Sequence, residues 1–251
     1  MDRTATRDRY RVRTASTSAD VAEAQALRHR IFLTNSNAAD GCKPLDVDRF
    51  DDTCTHFLIE DMDDGTVVAT FRVLPLASGS DVDRSYSAQF YDLTSLQSFP
   101  APMAEVGRFG VLSERAHPDI LRMAWAALTA FVDRNNVELL FGCSSFEGID
   151  ESAYSDAFAM LRDKHLAPRR FCPRVKAPDV FRFAKRLTRM PDRARALRTM
   201  PPLLRSYLKM GGWVSDHAVV DREMNTLHVF TGLEVCRIPP ARARVLRAAV
   251  G

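Results

Sequence analysis

The sequence contains no apolar run of 18 residues, so it predicts no helix that spans a membrane. Its first residues, MDRTATRDRYRVR, lack the apolar stretch of a secretory signal, and the expected location is therefore the cytoplasm. The five cysteines form no CxxC pair and support neither a disulfide framework nor a zinc site, so we expect no bound metal. With 251 residues, 46% of them hydrophobic, the chain is long enough to bury a substantial core.

Acidic residues are scarce in one segment. Residues 162–209 hold 15 Lys and Arg against 3 Asp and Glu, although the net charge of the whole chain is only +3. Such a concentrated positive field attracts acidic proteins, anionic membrane surfaces or nucleic acid, unless it is simply a solvated face. Few aromatic residues alternate with these arginines, which disfavours a platform for single-stranded nucleic acid.

Hydrophobic periodicity predicts alternating strands and helices. Strands are expected at residues 9–14, 55–60, 67–74, 103–113, 137–143 and within 213–235, and helices at 20–31, 117–135, 152–165, 179–190 and 201–212. Asp20 with Glu23 suggests a capping box for the first helix, and Asp179 a cap for the fourth. The order β-α-β-β-β-α-β-α through residue 165 predicts an α+β fold with a mixed sheet.

Charged side chains interrupt several of these apolar elements. They are Arg28, one turn before Phe32; Asp48 and Asp51 in the acidic loop 40–53; Arg72 in ATFRVLPL; and Glu105 with Arg108 in MAEVGRFGVLSE. In an extended strand Glu105 and Arg108 would point to opposite faces. Charges in strands also occur at protected sheet edges or in structural ion networks, so the pattern alone does not establish catalysis.

The set R-x3-F, D-x2-D, a strand arginine and E-x2-R resembles the acyl-homoserine-lactone synthases. ALRHRIF, DRFDDTCTHFLI, AEVGRFGV and LFGCSSFEG, with PPLLRSYLKMGGWV and DREMNTLHVF, more specifically resemble the ornithine lipid N-acyltransferases over residues 9–235. This resemblance implies a GNAT-like acyltransferase fold: a mixed, mostly antiparallel sheet with splayed central strands, helices on both faces and a basic helical C-terminal extension. The turn SERAHPDI departs from the glycine-rich pyrophosphate turn of acetyl-CoA enzymes and from a more basic turn in relatives, which leaves the carrier contact there open.

The resemblance also implies roles for particular residues. N-acylation needs a neutral amine, and Glu105 is the expected proton acceptor, with Arg108 clamping a carboxylate or holding the acidic loop. Backbone amides from Phe109 to Val111 are the expected oxyanion donors. The other expected substrate-binding side chains are those of Arg28, Phe32, Asp48, Asp51, Arg72, Ser144 and Ser145. Whether the aspartates meet these arginines or the basic side chain of ornithine stays open.

The function implied is transfer of a 3-hydroxyacyl chain from acyl carrier protein to the α-amino group of L-ornithine, giving lyso-ornithine lipid. The carrier's phosphopantetheine thioester is a co-substrate, and no other cofactor is expected. Glutamine is the alternative acceptor. Acidic carrier protein, or the anionic inner membrane surface, would meet a basic face formed by Arg182, Lys185, Arg186 and Arg189.

Two other functions stay open at this point. One is an acyl-homoserine-lactone synthase using S-adenosylmethionine, which the C-terminal segment 166–235 disfavours. The other is a non-catalytic lipid- or nucleic-acid-binding module, although no nucleic-acid partner is expected. In the expected domain organisation, residues 1–165 form the acyltransferase core and residues 166–251 complete the same domain.

Overall fold

The structure is a computed structural model, and it describes residues 9–33 and 45–248. They divide into two compact units: unit 1 comprises residues 9–33, 45–73, 108–131 and 246–248, and unit 2 comprises residues 74–107 and 132–245. Residues 40–44 of the predicted acidic loop lie outside the described residues. Among the helices of the described ranges, none is long and apolar enough to cross a bilayer.

The strands and helices of the described chain follow one another in an α+β order. The strands are β1 Tyr10–Thr14, β2 Thr55–Asp61, β3 Val67–Leu76, β4 Tyr91–Asp92, β5 Met103–Val111, β6 Leu139–Glu147, β7 Arg174–Val175, β8 Val180–Phe181, β9 Trp213–Asp221 and β10 Thr226–Glu234. The α-helices are α1 Ser18–Arg28, α2 Pro118–Arg134, α3 Ser155–Lys164, α4 Phe183–Arg186, α5 Arg193–Thr199, α6 Pro202–Lys209 and α7 Pro240–Ala248. A π-helical turn, His29–Leu33, follows α1 directly.

Unit 1 is built around the strand order β1-β2-β3-β5, with β1–β2 and β2–β3 antiparallel. Helix α1 begins after Thr17, whose hydroxyl accepts from the amide of Asp20, while the Asp20 carboxylate accepts from the amide of Thr17. This reciprocal cap satisfies donors that a helix start leaves open. Ala24 and Leu27 of α1 are buried against Leu58 of β2, which fixes the face of the helix that carries Arg28.

Unit 2 follows the order β5-β6-β10-β9-β8, with a separate β4–β7 pair. β5 runs parallel to β6, and the other pairs are antiparallel. One hydrophobic cluster joins β6, β9 and β10 to α3, α5 and α6. Phe158 of α3 contacts Phe146 and Phe183 there, at ring-centroid distances of 4.9 and 5.2 Å. Because β9 and β10 pair with β6, the chain beyond residue 165 continues this sheet.

The α+β prediction is confirmed, but three local predictions are wrong. The first helix is capped by Thr17, not by Asp20, because Asp20 occupies the third helical position. The strand predicted at residues 137–143 is β6, which runs to Glu147, so Ser144 and Ser145 lie within the strand and do not follow it. The predicted helix 179–190 is replaced by β8, which pairs with β9, and by the single turn α4.

Candidate functional site

The backbone of β5 changes conformation at Arg108. Arg108 has φ 50°, in the left-handed region that residues other than glycine seldom occupy. The alternation of side chains assumes extended backbone, so the expectation of opposite faces for Glu105 and Arg108 does not apply through this point. In β5 the side chain of Glu105 is buried and that of Arg108 is half-buried. Each is surrounded by a different set of groups.

In unit 1 three arginines and three aspartates form one cluster. This arginine–aspartate network consists of Arg28, Arg72, Arg108, Asp46, Asp48 and Asp51. Its formal charges balance, as buried ions require if desolvation is to be compensated. Residues 45–54, which precede β2, bring the aspartates to arginines carried by α1, β3 and β5.

Arg28 and Arg72 are the buried arginines of the network, with residues only 1% and 3% exposed. Arg28 holds both carboxylate oxygens of Asp51 at 2.9 Å, and its Nε lies 3.0 Å from Asp46 Oδ2. Arg72 donates to both oxygens of Asp48, at 2.7 and 2.6 Å, and to Asp51 Oδ1 at 2.5 Å. Such bidentate pairing fixes the planes of both partners.

Arg108 joins the same carboxylates from β5. Its Nε lies 3.2 Å from Asp46 Oδ2, and its Nη2 lies 3.4 Å from Asp48 Oδ2. Its side chain is 15% exposed, compared with 1% for Arg28 and 4% for Arg72. Among the three arginines, Arg108 is therefore the one whose guanidinium has most access to a ligand.

Two neutral side chains also contact Asp51, and burial affects the pKa of groups in the network. Gln25 Nε2 donates to Asp51 Oδ2 at 2.9 Å, and His56 Nε2 lies 3.0 Å from the Asp51 carbonyl oxygen. Burial alone would raise the pKa of Asp51, but hydrogen bonds and charge from Arg28 and Arg72 outweigh it and hold the pKa below its usual range. Burial lowers the pKa of His56, which favours its neutral form.

Phe32 lies beside the strand that carries Arg108. The π-helical turn places Phe32 and Ile31 so close to Gly110 that a Cβ there would lie 2.9 Å from Phe32 Cζ. Glycine thus permits close packing between this turn and β5. The half-buried Phe109 contacts Phe71, with ring centroids 6.1 Å apart, and Val111 is also half-buried.

In unit 2 the Glu105 carboxylate is held by the turn that precedes β4. The amides of Tyr86 and Ser87 donate to its two oxygens at 2.7 Å each, and Ser87 Oγ donates to Oε1 at 2.5 Å. Ser87 Oγ also lies 3.4 Å from Cys143 Sγ on β6. Glu105 is only 4% exposed, and the three donors compensate for its desolvation.

Ser144 and Ser145 have different environments on β6. Ser144 is buried, and its Oγ accepts from Thr231 Oγ1 at 2.9 Å. Ser145 is exposed and lies opposite His228 in the β6–β10 register. Ser144 is therefore already bonded within the protein, whereas Ser145 presents its hydroxyl at the surface.

The four basic residues expected to meet a partner are all exposed, but they do not share one helix. Arg182 precedes α4, Lys185 and Arg186 lie in it, and Arg189 follows it. Arg189 is paired with buried Asp156 at 3.0 Å, so it also has a structural contact. Met190, 80% exposed, adds an apolar side chain beside them.

The sequence does not predict four participants of these two clusters, which are Asp46, Gln25, Tyr86 and Ser87. Asp46 stands in a loop already rich in carboxylates, so its spacing carried no signal. Tyr86 contacts Glu105 through a backbone amide, which the residue type does not reveal. Within residues 9–33 and 45–248, no group of three His, Cys, Asp or Glu side chains is arranged to hold a metal ion.

Comparison with known proteins agrees with this architecture. The family described as an acetyltransferase (GNAT) domain matches residues 27–126. A CoA-dependent acyl-homoserine lactone synthase, BjaI, solved with MTA, superposes with a TM-score of 0.53 and 14% identity, covering 96% of this chain and 90% of that one. These matches define the class: the chain has the GNAT-like acyltransferase fold.

Curated relatives identify the particular family. An L-ornithine N(alpha)-acyltransferase of Rhodobacter capsulatus is 32% identical over 231 residues, 88% of each chain. Another, from Brucella abortus, is 30% identical over 247 residues, covering 90% of this chain and 85% of that protein. The chain belongs to the L-ornithine N(alpha)-acyltransferase family and is an acyltransferase.

Proposed function

We propose that this acyltransferase moves a 3-hydroxyacyl chain from the thioester of acyl carrier protein to the α-amino group of L-ornithine, giving lyso-ornithine lipid. The observation that carries the proposal is the 32% identity, over 88% of both chains, with a relative that bears this acceptor in its name. A buried carboxylate and a partly accessible arginine on one strand supply chemistry suited to acylating an amino acid.

Glu105 is the proton acceptor in this proposal. An α-amino group is largely protonated near neutral pH and becomes a nucleophile only after losing a proton. The amine nitrogen attacks the thioester carbonyl, the C–N bond forms, and the C–S bond breaks. Before the attack, the ammonium group loses one proton to solvent. Glu105 takes the second proton, which the nitrogen loses as the C–N bond forms, and returns it to the leaving thiolate, so the carboxylate is regenerated.

Arg108 either binds the α-carboxylate of the amino acid or holds the aspartate loop. Its 15% exposed side chain supports the first role, and its contacts with Asp46 and Asp48 support the second. Arg28, Arg72 and Asp51 act in this proposal by fixing the network, since their charged groups are buried and paired with one another. This replaces direct substrate contact as their role.

The other proposed substrate contacts come from β5, the π-helical turn and β6. The amides of Phe109 to Val111 are the proposed oxyanion donors, because they follow the left-handed residue Arg108. Phe32 packs against that same strand. Exposed Ser145 is proposed for the acceptor, and buried Ser144 for supporting β6.

The acyl donor is proposed to dock on the basic segment. Residues 162–209, with 15 basic and 3 acidic residues, would attract an acidic carrier protein electrostatically. The product is an amphiphile, and the same positive field would hold the enzyme at the anionic inner membrane surface. Exposed Lys185 and Met190 suit both uses.

A direct assay tests the proposal. Purified protein is incubated with 3-hydroxyacyl carrier protein and either L-ornithine or L-glutamine, and amide products are measured by mass spectrometry. We expect Nα-acyl-ornithine, and loss of at least about a hundredfold in rate for Glu105→Gln, a magnitude typical of losing a general base. Acyl-glutamine alone would change the acceptor, whereas no amide from the folded protein with either amino acid would refute the function.

A further inference from the structure

The donors to the Glu105 carboxylate include a side-chain hydroxyl as well as backbone amides. Two of its three described donors are the amides of Tyr86 and Ser87, and the third is the hydroxyl of Ser87, 2.5 Å from Oε1. Ser87 is 0% exposed, so water does not compete for this hydroxyl. Hydrogen bonds to the charged form of a buried carboxylate stabilise that form and fix its direction.

We propose that Ser87 is a positioning residue for acyl transfer: its hydroxyl keeps Glu105 ionised and correctly oriented to accept the amine proton. This inference rests on the proposed function, in which Glu105 is the base. Ser87 acts through Glu105 and needs no contact with substrate. Sequence spacing gives no hint of it, because 18 residues separate the hydroxyl from its partner.

Among the described groups beside this turn, Tyr91 and His228 are neutral near pH 7, and the Lys176 ammonium donates to the Ala88 carbonyl oxygen at 2.6 Å. Burial raises the pKa of Tyr91 on β4. Burial also lowers the pKa of His228 on β10 to about 4, and this imidazole contacts the Tyr91 hydroxyl. Cys143 Sγ on β6 lies 3.4 Å from Ser87 Oγ. Neither Tyr91 nor His228 therefore supplies a charge that could replace the Ser87 bond.

The same turn offers a matched control. Ser85 is also 0% exposed, and its Oγ accepts from the amide of Ala88 at 3.2 Å. Ser85→Ala removes a hydroxyl that supports the turn, whereas Ser87→Ala removes the hydroxyl that reaches Glu105. Both changes keep the two backbone donors. A comparison of the two variants separates the stability of the turn from control of the carboxylate.

The test measures acyl transfer to ornithine across pH for wild type, Ser87→Ala, Ser87→Thr and Ser85→Ala. A carboxylate that loses a hydrogen-bond donor to its charged form has a raised pKa. As pH is lowered, activity should therefore be lost at a higher pH than in wild type. We expect the acidic limb of kcat/KM in Ser87→Ala to move up by about one pH unit, with KM for ornithine unchanged. Ser87→Thr restores the limb, and Ser85→Ala leaves it in place.

An infrared titration gives a readout that needs no activity. The carboxylate band that Glu105→Gln abolishes should titrate about one pH unit higher in Ser87→Ala than in wild type. An unmoved band in folded Ser87→Ala, or an equal movement in Ser85→Ala, would overturn the role of Ser87. An inactive wild-type protein in which this band still moves would instead refute the proposed function and leave the Ser87–Glu105 coupling supported.

Discussion

At the scale of single residues, Asp51 is the carboxylate on which most of the buried network depends. It receives both arms of Arg28, one arm of Arg72 and the amide of Gln25. Loss of the Asp51 carboxylate would leave the buried side chains of Arg28, Arg72 and Gln25 without this acceptor. The cost of breaking a buried ion pair is mainly the charge left behind, which here would be two guanidinium groups.

Asp51→Asn should therefore destabilise the protein by about 3–5 kcal/mol, the range for a buried pair that loses one partner. The neighbouring exposed residue provides the control: Asp52→Asn should change stability by less than about 0.5 kcal/mol. Denaturant unfolding followed by circular dichroism measures both. Equal, small effects would mean that the network adds little to folding.

The same carboxylate makes stability depend on pH. Because the folded-state pKa of Asp51 is lowered, its contribution is fully present above the unfolded value of about 3.9 and is lost as pH falls toward the folded value. Below about pH 4 the difference between wild type and Asp51→Asn should consequently shrink. Denaturant unfolding of these two proteins, repeated between neutral pH and pH 3, measures this difference in the free energy of unfolding.

The sequence predicts the charged side chains of the candidate site better than the residues that hold them in place. Arg28, Arg72 and Arg108 interrupt apolar elements, so they could be singled out before their mutual contacts were known. Ser87 could not be singled out in this way, because a serine in a turn is ordinary and its acceptor, Glu105, is 18 residues away along the chain. The structure shows the contacts of these residues, and their roles in catalysis stay predictions.

At the scale of elements, the sequence predicts some strands correctly, but tertiary pairing replaces one predicted helix. The strands predicted at residues 55–60 and 67–74 correspond to β2 and β3, which pair antiparallel. The predicted helix 179–190 failed because Val180 and Phe181 pair with Val219 and Ala218 of β9. Buried Phe183 still faces the cluster of unit 2, but it does so from a single helical turn. Periodicity alone did not distinguish these arrangements.

The junction of β5 and β6 depends on a glycine. Gly142 has φ 159° and comes so close to β5 that a Cβ would lie 2.2 Å from the Val106 carbonyl oxygen. Gly142→Ala must move backbone next to Glu105, and we expect at least about a tenfold loss of kcat/KM, since a shift of about 1 Å costs more than that. Gly107→Ala, which meets nothing within 4 Å, should keep most activity. Comparable losses in both would argue against a special role for this contact.

At the scale of the whole molecule, charge is distributed unevenly, and the donor should respond to this distribution. The basic segment 162–209 lies within unit 2, and the rest of the chain is net acidic. Association steered by such a field weakens as salt screens it, with a Debye length of about 8 Å at physiological ionic strength. A small zwitterionic acceptor such as ornithine gains little from the same field. Salt should therefore raise KM for acyl carrier protein much more than KM for ornithine.

Two charge reversals with the same effect on net charge test whether the position of the charge matters. Lys185→Glu alters the basic segment, and Arg134→Glu alters an exposed residue at the end of α2. Lys185→Glu should raise KM for acyl carrier protein by about threefold and weaken its salt dependence, because a charge at the edge of an interface acts mainly on association. Arg134→Glu should leave both close to wild type. If steady-state kinetics shows the same change for both reversals, net charge and not a docking surface controls KM for acyl carrier protein. The carrier protein must then bind elsewhere.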